Sequence, residues 1–157
     1  HQTARAADAE PTAGVDPLSR RYFWEQINRL SDLGVTIFVT THYLDEAEEC
    51  NRIGMIFSGT LAAIGKPDEL KQQRFAGRIY KFDSRNPWET ADHLRKRPDI
   101  DDVVLFGSEL HITLKPDADF STVSSAIRTA DSTATEITAI DPTLEDLFIA
   151  LINEGPK

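Results

Sequence analysis

The order of strand-like and helical segments between residues 78 and 140 constrains the fold of this chain most. Strand character covers residues 78–83, 102–106, 109–114 and 133–140, and helical character covers residues 88–96 and 120–130. The two central strands flank Gly107 and Ser108, a pair typical of a tight turn. The predicted order is therefore strand, helix, strand, strand, helix and strand, which is the order of a ferredoxin-like α+β domain.

The segment after this domain predicts a terminal helix that begins behind Asp141 and Pro142. Thr143 and Asp146 have the spacing of a capping box, in which two residues three apart satisfy each other's backbone amides. An apolar stripe at helical spacing follows, formed by Leu144, Leu147, Phe148 and Leu151. We expect this stripe to pack on its own domain, as amphipathic helices usually do.

Residues 10–76 predict a smaller α/β unit, and residues 1–9 before it are small and polar and read as a flexible lead-in. Asp16 and Pro17 predict a helix start, because an N-cap oxygen precedes a residue whose φ is preset for the first turn. The apolar spacing that follows extends the predicted helix over residues 17–33.

The run VTIFVT at residues 35–40 is β-branched and nearly all apolar, which predicts a strand buried on both faces. Two more strands are predicted at residues 52–58 and 60–64, joined by a hairpin turn at residues 58–59. Short helices are predicted at residues 44–50 and 67–74. The first half of the chain is therefore expected to mix helices with strands.

The charge balance excludes several classes of function. The chain has 17 basic and 26 acidic residues and a net charge of −9, so a role in binding duplex nucleic acid is not expected. The same charge argues against direct docking on an anionic membrane surface, and no apolar run is long enough to insert into a bilayer. The single cysteine excludes a framework of internal disulfides.

Two short segments resemble a known family. Residues 10–17 read EPTAGVDP and residues 39–48 read VTTHYLDEAE, and together they resemble the distal half of an ATP-binding cassette (ABC) ATPase. The wording THYLDEAE is similar to the subclass that drives drug- and polysaccharide-type exporters with separately encoded membrane subunits. The ending DPTLEDLF at residues 141–148 fits the same pattern. The fold expected from this resemblance is an α/β remnant of the ABC nucleotide-binding domain, followed by the ferredoxin-like domain.

The resemblance implies roles for three residues. Glu10 occupies the family's position for the base that orients the attacking water, and His42 that of the switch histidine at the γ-phosphate. Asp16 matches the aspartate of the loop between the two nucleotide sites of the ATPase dimer. ATP and Mg²⁺ are the family's cofactors, and its partner is a membrane-spanning transporter subunit at the inner, cytoplasmic face of the membrane.

The sequence also departs from the family. It contains no phosphate loop of the form G-x-x-x-x-G-K-[ST], and the nearest segment, GTLAAIGK at residues 59–66, has the wrong spacing and is followed by proline. Neither the family's signature segment nor its Mg²⁺-associated aspartate is present, because Ala9 stands at the latter position. We therefore expect this chain to neither bind ATP tightly nor hydrolyse it alone, and to cover its incomplete half by self-association.

Three readings of the whole chain remain open. The first is a C-terminal portion of an exporter ATPase, with residues 10–76 as the distal half of the ATPase domain. The second is a stand-alone, non-catalytic module that associates through an apolar face near Phe23, Trp24 and Ile27. The third places the function in residues 77–157, as a regulatory, dimerisation or ligand-binding domain.

The remaining polar residues receive structural interpretations. His93 and His111 show no partner pattern and are expected on the surface or on strand faces. Cys50 has no neighbouring ligand set, so no metal site is predicted. The acidic run at residues 45–49 is expected to form a solvated helix face.

Overall fold

A computed structural model describes residues 14–154, so Glu10, the lead-in and Ala9 lie outside the described residues. The chain divides into two compact units, His1–Asn51 and Arg52–Lys157, which are treated separately below. The functional boundary expected after residue 76 remains a prediction. No helix among residues 14–154 has the length and apolar character needed to cross a membrane.

The first unit is built on helix α1 (Pro17–Asp32), as the sequence predicts. Asp16 caps its first turn, and Leu33 is the C-cap after Asp32. Gly34, which follows, adopts a φ of +84° that a residue with a side chain rarely takes. Trp24 is buried, whereas Leu18 and Tyr22 are exposed. The helix therefore leaves part of its apolar surface uncovered within this unit's described residues.

The prediction of a strand at residues 35–40 is wrong. Only Thr40 forms an isolated bridge, and residues 35–39 have no regular secondary structure. Phe38 is 67% exposed instead of buried. A strand buried on both faces needs ladder partners on both edges, and residues 14–51 contain no other strand to supply them. Helix α2 (Leu44–Ala47) follows and is shorter than predicted.

The second unit begins with a hairpin. Strands β1 (Ile53–Phe57) and β2 (Thr60–Gly65) pair antiparallel, as predicted. Ser58 and Gly59 both have positive φ, at 49° and 76°, the geometry that matches the twist of a two-residue hairpin. Helix α3 (Pro67–Phe75) comes next, close to its predicted range.

A four-stranded antiparallel sheet forms the centre of the second unit. Its strands lie in the order β4-β5-β3-β6, with two helices between them in sequence. The elements are β3 (Ile79–Asp83), α4 (Pro87–Arg95), β4 (Ile100–Phe106), β5 (Glu109–Leu114), α5 (Phe120–Ala130), β6 (Thr138–Ala139) and the terminal helix α6 (Leu144–Glu154). The predicted order of strands and helices is therefore present, and the antiparallel sheet and its helices form an α+β unit.

The last strand is shorter than the predicted residues 133–140. Side-chain hydrogen bonds replace part of the ladder, because the Asp83 amide donates to Thr135 Oγ1 and the Arg85 amide donates to Thr133 Oγ1. The chain still follows the edge of β3, where the Thr135 amide donates to the Asp83 carbonyl. Only Thr138 and Ala139 pair with β3 as strand residues.

The two faces of this sheet differ in chemistry. One face carries the hydrophobic core, which packs against α4 and α5 and consists of Phe82, Ala91, Leu94, Ile100, Val103, Leu110, Ile112, Leu114, Val123, Ile127 and Ile137. The alternate residues of β3 and β5 carry polar side chains on the other face, among them Lys81, Glu109 and His111. Helix α6 bonds to this polar face through Asp146, which meets His111.

Candidate functional site

Asp16 lies at the exposed start of α1. Its Oδ1 accepts hydrogen bonds from the amides of Leu18 and Ser19, both at 3.1 Å. Hydrogen bonds from Ser19 hold the pKa of this carboxyl below its ordinary value. The residue is therefore an N-cap, as predicted, and its role in an interface loop remains a prediction.

His42 lies on the short loop between Thr40 and α2, with its side chain exposed. Its ring lies against that of Tyr43, with the two centroids 4.0 Å apart. The loop is closed around His42 by Thr41, whose hydroxyl accepts from the Tyr43 amide at 2.9 Å. The same hydroxyl donates to Glu46 Oε2 at 2.8 Å. The backbone of His42 is thereby fixed while its imidazole faces solvent.

Glu46 is the residue that the sequence analysis missed in this unit. It was expected on a solvated acidic face, but it is 2% exposed, because the one turn of α2 packs this side chain inward. Its Oε1 lies 3.5 Å from Arg20 Nε on α1. Arg20 also lies over the ring of Tyr43, at 5.3 Å from the centroid. The structure thus ties α1, which Asp16 caps, to the loop that carries His42.

A groove of about 520 Å³ opens beside this contact. It is lined mostly by charged side chains of the first unit, and the buried indole of Trp24 lies at its wall. Since Trp24 is only 6% exposed, it is not available as part of an association face. The sequence signal for the hydrogen bond between Thr41 and Glu46 is the five-residue spacing between a threonine and a glutamate.

A second cluster of charged residues lies in the second unit, around His111. Its Nδ1 is 2.6 Å from Asp146 Oδ1 and its Nε2 is 2.9 Å from Glu109 Oε1. Lys81 Nζ is 2.8 Å from the other oxygen of Glu109. His111 lies on a strand face, as predicted, although the sequence shows no pattern that indicates its partners. Its partners come from a distant helix and from an alternate position of its own strand.

A third network surrounds Asp131 at the end of α5. Its carboxylate accepts a short hydrogen bond from the Ser84 hydroxyl, and others from Thr90 at 3.0 Å and from the Thr133 hydroxyl at 2.6 Å. Burial opposes ionisation, but these hydrogen bonds outweigh it and lower the pKa of Asp131 to about 2. The network fixes the loop after α5 against the end of β3.

The described residues do not fit ATP and Mg²⁺ by themselves. Residues 14–154 contain no group of three histidine, cysteine, aspartate or glutamate side chains that can hold a metal ion. Asp16 Oδ1 already accepts hydrogen bonds from two amides, and the sequence has no phosphate loop to surround a triphosphate. Cys50 is a free thiol, and burial raises its pKa.

The mixed helices and antiparallel sheets of the described residues are consistent with the C-terminal region of an ABC ATP-binding protein. A family model described as the C-terminal domain of DrrA1-3-like ATP-binding proteins matches residues 65–152. The chain belongs to this family. The match covers α3, the four-stranded sheet and most of α6.

Individual relatives carry related names. The chain is 59% identical over 64 residues to the probable multidrug ABC transporter ATP-binding protein YbhF of Escherichia coli, which is 41% of this chain and 11% of that protein. It is 32% identical over 149 residues to the linearmycin resistance ATP-binding protein LnrL of Bacillus subtilis, covering 90% of this chain and 47% of LnrL. It is 30% identical over 145 residues to the Nod factor export ATP-binding protein I of Bradyrhizobium diazoefficiens, covering 90% and 44%. The chain spans less than half the length of these relatives.

Proposed function

We propose that this chain acts within the ATP-binding subunit of an ABC exporter, which couples ATP hydrolysis to transport through a membrane-spanning partner subunit. The observation that carries the proposal is the alignment of 90% of the chain with the linearmycin resistance ATP-binding protein at 32% identity. In this role the protein works at the cytoplasmic face of the membrane, without inserting into it and without binding nucleic acid. The exported compound is set by the partner and is not part of the proposal.

The proposal gives Glu10, His42 and Asp16 separate roles in the assembled ATPase. Glu10 is the base, His42 the switch histidine and Asp16 the residue of the interface loop. The exposed imidazole of His42 on a backbone fixed by Thr41 supports the second role, because a switch residue needs an accessible ring in a defined place. ATP and Mg²⁺ belong to the assembled protein, and this chain alone is proposed to be inactive.

We further propose that residues 77–157 form a ferredoxin-like regulatory or dimerisation domain, separate in function from residues 10–76. Support comes from the strand order β4-β5-β3-β6 and from the antiparallel pairing of every neighbouring pair. In that fold two strand-helix-strand units interleave, so that one strand of each unit lies between the two strands of the other. The fold itself is compatible with many functions, so the role rests on the family.

A chimera tests the catalytic part of the proposal. The segment of LnrL that aligns with this chain from Glu10 onward is replaced by this chain, so that the residue before Glu10 remains that of LnrL, and ATP hydrolysis is measured in the purified chimera. We expect hydrolysis that His42→Ala reduces by at least about tenfold, since one positioned group contributes 10²–10⁴-fold in many enzymes. His93→Ala is the matched control, because His93 is an exposed histidine on α4. Equal activity of the two variants contradicts the role of His42.

Titration calorimetry with Mg-ATP tests the inactivity of the chain alone. We expect no heat of binding from the unmodified chain or from His42→Ala. Binding by the unmodified chain that weakens in His42→Ala would show that a nucleotide site forms without a phosphate loop. That result would refute the proposed inactivity and leave the chimera experiment unaffected.

A second candidate function is association without catalysis. It is favoured by the exposed apolar side chains of the first unit, which include Leu18, Tyr22, Leu33 and Phe38. Light scattering across a range of concentrations tests it, and we expect a dimer under this reading. A particle that stays monomeric at the highest concentration excludes it.

A further inference from the structure

His111 joins helix α6 to the polar face of the sheet through two carboxylates. Asp146, near the start of α6, lies 2.6 Å from one ring nitrogen, and Glu109 lies 2.9 Å from the other. Asp146 also receives the amide and the hydroxyl of Thr143, both at 2.8 Å, so it caps the helix as well. Lys81 on β3 holds the second oxygen of Glu109 at 2.8 Å.

The geometry at His111 specifies its protonation state. An ionised carboxylate only accepts hydrogen bonds, and a neutral imidazole has a single N–H to donate. Two carboxylate partners on opposite ring nitrogens are both satisfied only by the imidazolium, which donates from each nitrogen. Loss of one proton leaves a lone pair of the ring facing a carboxylate oxygen at hydrogen-bond distance.

We propose that His111 is the centre of a proton-dependent latch that holds the start of α6 on the sheet. The latch consists of Lys81, Glu109, His111 and Asp146. When His111 is protonated the four side chains alternate in charge from β3 to α6. When it is neutral, the ring keeps one carboxylate and repels the other, and the attachment of α6 weakens.

Among the groups around His111, the two carboxylates have the largest influence on its protonation. From β4, the ring of Phe106 lies with its centroid 4.5 Å from that of His111 and brings no charge. Lys81 reaches Glu109 and therefore compensates it more than it opposes His111. The charged side chains that the strands and α6 place on this face include Lys81, Asp83, Asp102, Glu109 and Asp146. Negative groups predominate among them, which favours the imidazolium.

The pKa shifts agree in direction with this arrangement. Burial lowers the pKa of His111, but the hydrogen bonds to Asp146 and Glu109 outweigh it and raise that pKa above 6.5. Burial raises the pKa of Asp146, yet its bonds to His111 and Thr143 bring it below 3.8. Lys81 and then His111 hold the pKa of Glu109 below 4.5.

These directions define the pH range of the latch. Its stabilisation is fully present above the ordinary carboxyl values and below 6.5, the ordinary value for histidine. It is lost as the pH rises through the raised pKa of His111, and again as the pH falls through the lowered values of the carboxylates. The latch is therefore tightest in weakly acidic solution.

Helix α6 is a suitable element for such control because it covers apolar surface. Leu144, Leu147 and Ala150 are buried at 1–2% exposure, and Phe148 meets the ring of Phe57 at 6.4 Å between centroids. Weakening of the attachment at Asp146 raises the population of states in which these side chains reach solvent. The latch thus makes an apolar surface of the second unit respond to pH.

NMR titration of the whole chain tests the latch. We expect the ring resonances of His111 to titrate above pH 6.5, in the direction that its two carboxylate partners impose. Amide exchange in α6, corrected for the intrinsic effect of pH, is expected to be about tenfold faster at pH 8.5 than at pH 6, the effect of losing one hydrogen bond to a charged group. Unchanged corrected exchange across this range overturns the proposal.

Two variants separate the latch from simple packing. His111→Gln should remove the pH dependence of exchange in α6, whereas His93→Gln should keep it. Should His111→Gln fail to fold, Glu109→Gln provides the same test, because loss of one carboxylate lowers the titration midpoint of His111 without altering the core. A midpoint unchanged in Glu109→Gln contradicts the latch. None of these readouts depends on ATP, so they stand apart from the proposed ATPase role.

Discussion

Thr41 donates a hydrogen bond of 2.8 Å to Glu46, a carboxylate that is 2% exposed although it belongs to an acidic helix. This bond links the loop of His42 to the side chain that meets Arg20 on α1. A buried carboxylate needs donors, because desolvation without compensation costs several kcal/mol. The hydrogen bond from Thr41 therefore helps to stabilise the buried carboxylate of Glu46 in the first unit.

Thr41→Val should destabilise the first unit. The substitution keeps the shape of the side chain but removes both the donor to a buried carboxylate and the acceptor for the Tyr43 amide, so we expect a loss of about 1–3 kcal/mol. Urea unfolding followed by the fluorescence of buried Trp24 measures it, in a Trp88→Phe background that removes the exposed second indole. Thr36→Val is the matched control at an exposed position. Equal midpoints for the two variants would show that the hydrogen bonds of the Thr41 hydroxyl add no stability.

Asp131→Asn should destabilise the second unit at neutral pH. The carboxylate collects hydrogen bonds from Ser84, Thr90 and Thr133, and a neutral amide accepts them more weakly and brings donors without partners, at a cost of about 1–3 kcal/mol. Asp117→Asn, at an exposed site, is the control and should be nearly neutral. Urea midpoints by circular dichroism compare them.

Asp131 should also make the stability of the second unit depend on pH in acidic solution. Its folded pKa of about 2 lies below the ordinary 3.8, so the stability it supplies is present above 3.8 and is lost as the pH falls towards 2. The difference in unfolding free energy between the unmodified chain and Asp131→Asn should therefore shrink over this interval. A difference that stays constant from pH 5 to pH 2 would contradict the assignment.

Leu110→Ala and Leu61→Ala make one change in two environments. Leu110 is fully buried in the sheet core, so its truncation should cost about 2–5 kcal/mol. Leu61 on β2 is 53% exposed, and its truncation should cost under about 1 kcal/mol. Chemical unfolding measures both. Similar losses would mean that the core does not lie between the sheet and helices α4 and α5.

Asp16 distinguishes a cap from an interface role. Asp16→Ala removes the acceptor for two amides and should lower the midpoint of thermal unfolding of the first unit, though less than Leu110→Ala lowers that of the second. Asp16→Asn keeps a capping oxygen and should retain most of the stability. In the chimera with LnrL, a loss of ATP hydrolysis in Asp16→Asn, which keeps the capping oxygen and removes the charge, would assign Asp16 a role beyond the helix start.

Local chemistry accounts for most of the elements that the sequence predicts. The N-cap at Asp16, the hairpin turn at Ser58 and Gly59, and the capping box of Thr143 with Asp146 are each written within a few residues. Periodicity places α5 at its observed bounds and α1 within one residue of them. Such features depend on backbone geometry and nearest neighbours, which a sequence carries directly.

The resemblance to ABC ATPases likewise came from short runs of residues, and the family match agrees with it. The roles of Glu10, Asp16 and His42 remain predictions, since a motif names the positions of a site without assembling it. Residues 35–39 show the limit of composition, because their apolar character predicts a strand but pairing requires a neighbour.

The sequence by itself determined the order of elements in the second unit, the start of helix α1 and the family of this chain. Only the tertiary structure decided that Glu46 is buried and that His111 lies between Glu109 and Asp146. Residue 146 is 35 positions from His111, and no spacing rule relates a strand residue to a helix that returns across the sheet. The charge state of a buried side chain depends on which groups the fold brings within hydrogen-bond distance, so it emerges only when the chain is packed.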